Sequence, residues 1–203
     1  MKFKFLQLFV KESLIAISTL FFLITISTYE VKGQQVLQWN RIARISLINL
    51  SAEKQSLKSN DLTVFVMLSP ECPLSKNYVP VLNKLNAEFK DFRFYGIFPG
   101  ASYTLAELQQ FKKDFNVQFE LLVDKQKLLT DILKASTTPE CIVLDKNGIV
   151  LYRGLIDNWP VTLGTQRKVI TEKYLANALY DFNHNQVISP KSTKPIGCLI
   201  NDL

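Results

Sequence analysis

Apolar positions along the chain fall into short blocks whose period switches between that of a strand and that of a helix. Leu62-Thr63-Val64-Phe65-Val66-Met67-Leu68 is a β-branched and aromatic run, the mark of a buried strand. Directly after it, Leu74, Tyr78, Val81, Leu82, Leu85 and Phe89 recur at helical spacing and predict a helix from Pro73 to about Lys90. Pro73 suits the first turn, where its missing N–H would have no partner. Phe92–Phe98 reads as a strand ended by Pro99-Gly100. Thr104 and Glu107 have the spacing of a capping box, which predicts a helix through about Phe115. Val117 to Val123 alternates as a short strand, and Asp124 heads a helix through about Lys134 with Leu128, Leu129 and Ile132 inside.

Cys141–Leu144 and Ile149–Tyr152 flank Asp145-Lys146-Asn147-Gly148, an Asn-Gly hairpin signal, because both residues tolerate positive φ. Residues 154–168 read as a long polar loop, a length that points to function or mobility. Leu175, Ala178, Leu179 and Phe182 define a last amphipathic helix capped near Thr171. Ahead of all this, Ile45–Leu50 alternates weakly, and Ser51–Asn60 is expected to turn a hairpin leading into the Leu62 strand. The tail Gln186–Leu203 has no period. Alternating strands and helices followed by a hairpin and a helix describe an α/β sandwich with a mixed sheet.

The first residues follow a different pattern. Lys2, Lys4 and Lys11 precede an apolar run from Leu14 to Ile26, and Val31-Lys32-Gly33 places small or compact residues ahead of Gln34. This is the layout of a signal peptide over residues 1–33, cleaved before Gln34. The competing expectation is an uncleaved membrane tether through residues 13–29, at the short end of what spans a bilayer. Either way the remaining chain is extracytoplasmic, and in a bacterium periplasmic. The expected organisation is then a strand extension over 34–60, one domain over 61–184, and a tail over 185–203. Of 203 residues, 170 remain after cleavage, enough for a core, and loss of four lysines and two glutamates lowers the net charge from +6 to +4. That charge is scattered, and no basic stripe interleaved with aromatics points to nucleic acid.

Cysteine placement is the first sign of chemistry. Cys72 stands where the Leu62 strand gives way to the Pro73 helix, next to unpaired helical N–H groups that favour thiolate over thiol. Glu71 opposes that effect and Lys76 supports it. Cys141 reads as a small buried hydrophobe, and Cys198 lies in the tail as Gly197-Cys198-Leu199-Ile200. An odd count of three in an exported chain leaves at least one thiol outside any intramolecular bridge. His184 is the sole histidine and reads as a surface or capping residue; no metal-ligand spacing occurs and no cofactor is implied.

Between Leu62 and Phe182 the sequence resembles the thioredoxin-fold superfamily. It is similar, more narrowly, to the redoxins of the alkyl hydroperoxide reductase/thiol-specific antioxidant group, including exported bacterial members. The residues that carry the resemblance are Leu68-Ser69-Pro70-Glu71-Cys72-Pro73, then Pro80, then Thr138-Pro139 before a strand, then the hairpin Ile142–Ile149. The resemblance implies a thioredoxin-like three-layer sandwich, a central mixed sheet flanked by helices. It also implies that Cys72 is a redox thiol and that Pro139 is cis. Thr138 and Pro139 then flank the sulfur and leave a backbone edge free for a substrate peptide.

Departures from the family patterns shape the functional expectation. Where a thioredoxin has its second cysteine this chain has Ser75, which can hydrogen-bond a thiolate but cannot form a disulfide. The buried carboxylate position six residues before the first cysteine is Val66. Compared with peroxiredoxins, Ser69 stands at the threonine position, Phe65 replaces a proline, and Pro139 stands about where the activating arginine would be. Without that guanidinium a peroxide loses its main fixed cation. The leading expectation is therefore an exported thiol–disulfide oxidoreductase. Cys72 attacks a protein or small-molecule disulfide, and Cys198 or an external thiol reductant resolves the intermediate. The alternatives are a peroxidase that oxidises Cys72 to sulfenic acid, and a non-enzymatic binding module. A copper-carrying role is disfavoured, since the paired cysteines and nearby histidine are missing.

Overall fold

A computed structural model describes residues 39–58 and 61–200 of the chain. The expected signal peptide and membrane tether, over 1–33 and 13–29, lie outside the described residues.

The described chain opens with a short helix, α1 (Trp39–Ile42), and a hairpin of β1 (Leu47–Asn49) and β2 (Lys54–Gln55). The central strand β3 (Leu62–Met67) leads to helix α2 (Pro73–Glu88), strand β4 (Phe92–Pro99), helix α3 (Leu105–Asp114) and strand β5 (Glu120–Asp124). Helix α4 (Leu128–Leu133) and the two-residue β6 (Thr137–Thr138) precede the hairpin of β7 (Glu140–Leu144) and β8 (Val150–Gly154). A small hairpin, β9 (Pro160–Thr162) and β10 (Thr165–Gln166), helix α5 (Tyr174–Asn183) and β11 (Cys198–Leu199) complete the chain.

Seven strands form one mixed sheet in the order β2-β1-β5-β4-β3-β7-β8. β4 runs parallel to both β3 and β5, whereas β7, β8 and β1 are antiparallel to their neighbours. β3 is buried along its whole length, as its unbroken apolar run requires. Its alternate residues serve two cores. Val64 and Val66 face α2, α3 and α5 through Leu82, Leu108 and Leu179, while Phe65 and Met67 face α1 and α4 through Ile42 and Leu129. Helices on both faces of a mixed sheet make the α/β three-layer sandwich of the thioredoxin-like fold. Burial of each such side chain stabilises it by about 1.5–3 kcal/mol.

Several local expectations are met. Thr104 and Glu107 form the capping box of α3, Thr104 Oγ1 accepting from the Glu107 N–H and the Glu107 carboxylate accepting from the Thr104 N–H. In the β7–β8 turn Gly148 takes a φ of 80°. The Asp145 carboxylate there accepts the N–H groups of Asn147 and Ile149. His184 ends α5, its Nδ1 lying 2.8 Å from the Tyr180 carbonyl and its ring stacked on Tyr180.

Four expectations are corrected. The β1–β2 hairpin does not lead into a neighbour of β3: β1 pairs with β2 and β5, and two strands, β5 and β4, separate it from β3. Asp124 closes β5 rather than heading a helix, and its carboxylate reaches forward to accept the N–H and hydroxyl of Thr130 in α4. Residues 154–168 are not a plain loop, since they fold back as β9 and β10. At α5 the capping position is Lys173; the Thr171 hydroxyl instead accepts the Asn158 side-chain amide. The first and last of these were decided by a partner remote in sequence, which local pattern cannot reveal.

The tail, featureless in sequence, is bonded to the sheet. Arg153 N–H donates to Lys191 O at 3.2 Å and Thr193 N–H donates to Arg153 O at 3.0 Å. The Thr193 hydroxyl accepts the Leu155 N–H and lies 2.8 Å from the Tyr152 hydroxyl. Gly154 makes this approach possible: its φ is 125°, and a Cβ there would fall 2.3 Å from Thr193 O. From Thr193 the tail crosses to β6.

Candidate functional site

The site is assembled where β3 hands over to α2. After Met67 the chain turns through Ser69–Cys72, closed by the Cys72 N–H donating to Ser69 O at 3.1 Å. The Ser69 N–H donates to Ser75 Oγ at 3.2 Å, and Ser69 Oγ accepts the Glu71 N–H and lies 2.8 Å from Tyr103 Oη. Ser69 and Ser75 thus staple the turn to the first helical turn. Cys72 occupies the capping position of α2 with extended backbone, followed by Pro73 as the spacing required. Its side chain is fully buried, and its thiol donates to the Thr138 carbonyl at 2.9 Å.

Thr138 belongs to β6, and the Thr138–Pro139 peptide bond is cis. The outer edge of β6 is occupied. β11 pairs with it antiparallel, Cys198 opposite Thr138 and Leu199 opposite Thr137. The strand is held beyond the pairing by the Ile200 N–H, which donates to Ser136 O at 3.0 Å, and by Lys127 Nζ, which donates to Ile200 O at 3.1 Å. Gly197 is the tight point, because a Cβ there would lie 2.1 Å from Thr138 O and 2.7 Å from its carbonyl carbon.

This pairing sets Cys198 opposite Thr138, the residue whose carbonyl accepts the Cys72 thiol, so the two cysteines meet at one segment of β6. Burial acts to raise the pKa of Cys72. The Cys198 thiol and the backbone N–H groups of Ser75 and Cys198 outweigh it and hold the Cys72 thiol below its ordinary value. Cys198 moves the other way, pushed up to about 12 by burial and by donating its proton toward the Cys72 sulfur. Of the two, Cys72 is the thiol that ionises first as pH rises. Lowering the Cys72 pKa enlarges its thiolate fraction at neutral pH. Cys198→Ala removes one of the stabilising donors, so the thiolate absorbance of Cys72 is expected to appear at higher pH than in the parent protein. An unchanged midpoint in an ultraviolet pH titration would show that the thiol–thiolate contact has no energetic effect.

The remaining candidates fall into clear roles. Cys141 is fully buried among core residues, and burial pushes its thiol well above the usual range, with Glu140 and Asp157 adding to the effect. Arg153 donates to the Leu133 and Lys134 carbonyls and lies 3.7 Å from the Glu140 carboxylate, so its guanidinium ties β8 to the end of α4. Asp157 is buried and accepts the Tyr78 hydroxyl and the Trp159 N–H, and Trp159 packs edge-on to Tyr78. Among the described residues no group of three or more His, Cys, Asp or Glu side chains is arranged to hold a metal. Tyr103, Gly197 and Lys127 complete the site and escaped the sequence reading. Gly197, adjoining Cys198, was the only one of the three beside a residue already under suspicion.

The AhpC/TSA family profile matches residues 40–153, more than half of the chain, from within α1 to the last residue but one of β8. The chain belongs to the AhpC/TSA family. As a redoxin of thioredoxin-like fold it is similar to two solved structures. One is an uncharacterized conserved protein from Geobacillus kaustophilus, 19% identical, with 83% of this chain and 93% of that one covered and a TM-score of 0.70. The other is a hypothetical protein from Sinorhizobium meliloti 1021, 18% identical, with 83% and 95% covered and a TM-score of 0.69. At that identity both speak to the fold. Comparison with curated proteins gives no match.

Proposed function

We propose that this redoxin is an extracytoplasmic thiol–disulfide oxidoreductase whose redox pair is Cys72 and Cys198. The observation that carries the reading is the placement of both cysteines at Thr138, Cys72 bonded to its carbonyl and Cys198 paired opposite it, with the Cys72 pKa lowered. Two thiols brought to one segment can form a disulfide, giving two electrons and two protons to an oxidising partner. Ser69 and Ser75 act as positioning residues for the Cys72 turn, while Thr138 supplies the backbone beneath the sulfur. The export half of the proposal rests on the Lys2–Ile26 pattern ahead of the domain.

Peptide mapping of the oxidised full chain without reduction tests the pairing. A Cys72–Cys198 bridged peptide is expected, with Cys141 as a free thiol. Recovery of Cys72 and Cys198 as separate thiols after exposure to oxidised glutathione would refute the pair. The family also includes peroxide-reducing chemistry, but no cationic side chain is among the groups acting on the Cys72 sulfur. Exchange with disulfides therefore ranks above reduction of peroxides, which need their developing charge stabilised.

A further inference from the structure

Resting on that redox pair, we propose that external thiols enter and leave at Cys198, with Cys72 the buried leaving group. This reverses the arrangement in which the cysteine at the helix start meets the substrate.

Accessibility is the first ground. Cys72 is fully buried, whereas Cys198 is partly exposed and its neighbour Leu199 is 56% exposed. Occupancy is the second. The β6 edge beside Pro139, where an incoming peptide could add as a strand, already carries β11. A peptide therefore cannot reach Cys72 along that edge while the tail is docked. The tail sits there as a built-in substrate strand, and its cysteine fills the place of a substrate cysteine. Docking is specific to this segment. Gly197 is needed beneath Thr138 O, and Lys127 and Ser136 hold the strand on its far side through Ile200.

The exchange balances as follows. With the Cys72–Cys198 disulfide formed, one thiolate of an external dithiol attacks the Cys198 sulfur. A bond forms between that sulfur and the external sulfur, the Cys72–Cys198 bond breaks, and its electron pair leaves on Cys72 as thiolate. The second thiolate of the dithiol then attacks its own partner sulfur and expels Cys198, which takes up a proton. The dithiol is oxidised by two electrons and the protein disulfide is reduced by two. A leaving thiol of low pKa departs faster, which suits the lowered Cys72 to this role. The same steps run backwards when an external disulfide is the oxidant.

A trapping experiment on the oxidised full chain decides the point. Brief treatment with reduced glutathione, an acid quench, alkylation with N-ethylmaleimide and peptide mapping report which sulfur carries glutathione. Glutathione on Cys198, with the alkyl group on Cys72 of the same molecules and at least a tenfold excess over the reverse pattern, is the expected result. Glutathione on Cys72, or equally on both, overturns the assignment while leaving the redox pair intact. Absence of any Cys72–Cys198 bridge in the untreated oxidised protein overturns the pair itself, and this assignment with it.

Discussion

Cys72→Ser and Cys198→Ser are each expected to lower turnover with a dithiol or disulfide substrate by on the order of a hundredfold or more, and the double variant is expected to be no worse than either alone. The reason is that two sulfurs acting as one redox unit do not contribute additively. Removing Cys72 leaves Cys198 able to accept an external sulfur but with no partner to reform the protein disulfide. Removing Cys198 leaves Cys72 fully buried behind β11, with its nearest acceptor the Thr138 carbonyl. Serine preserves the size and hydrogen-bonding character of each site, so the fold should tolerate both changes. Steady-state rates of the four proteins with a fluorescent peptide disulfide, with glutathione as reductant, make the comparison. Near-normal turnover of the Cys198→Ser protein would mean that the tail thiol is dispensable.

Gly197→Ala is expected to release β11 from β6 and expose Cys72. The added methyl would lie 2.1 Å from a backbone oxygen, and neither strand can yield there without losing its pairing. What opposes release is a handful of hydrogen bonds, each contributing about 0.5–1.5 kcal/mol net, with few buried apolar contacts beside Ile200. Shifting the docking equilibrium by about 1.4 kcal/mol changes the undocked population tenfold. Alkylation of Cys72 by iodoacetamide at neutral pH should therefore speed up by about tenfold or more. Formation of the Cys72–Cys198 bridge should fall in step. Gly197 lies at the surface end of the tail and not in either core, so the thermal transition of the sandwich should move little. Unchanged alkylation would show that the tail does not guard the sulfur.

Gly197→Ala also separates two roles the tail could have. A tail that only delivers a thiol would lose bridge formation and gain nothing. A tail that also stands in for a substrate strand would free the β6 edge, so that external cysteine peptides react directly with Cys72. In the glutathione-trapping experiment the label would then move from Cys198 toward Cys72.

Much of the fold was legible in the chain because it depends on local periods. The Leu62–Leu68 run reads as a buried strand and the Leu74–Phe89 spacing as a helix starting near Pro73, so the Cys72 junction was readable. Thr104 and Glu107 specify a helix start by their own side chains, and Asp145–Gly148 specify a turn by theirs. Where the partner was distant the reading failed. β1 was expected beside β3 but pairs with β5, and the Thr171 hydroxyl was expected to cap α5 but is drawn to Asn158.

The site divides along the same line. The sequence by itself determined that Cys72 stands at a helix start, that Ser75 removes the neighbouring thiol, and that Thr138-Pro139 precedes a strand. These are properties of adjacent residues. Only the tertiary structure decided that Ser75 receives the Ser69 N–H, that Arg153 is spent on the end of α4, and that Cys198 joins Cys72 at Thr138. The last of these spans the longest interval of chain and rests on contacts no period encodes: Gly154 admitting Thr193, Gly197 admitting Thr138, and Lys127 holding Ile200. A tail without a repeating apolar pattern has no secondary structure of its own to predict. It becomes a strand because β6 offers a backbone edge, and that edge exists only once the sheet is folded.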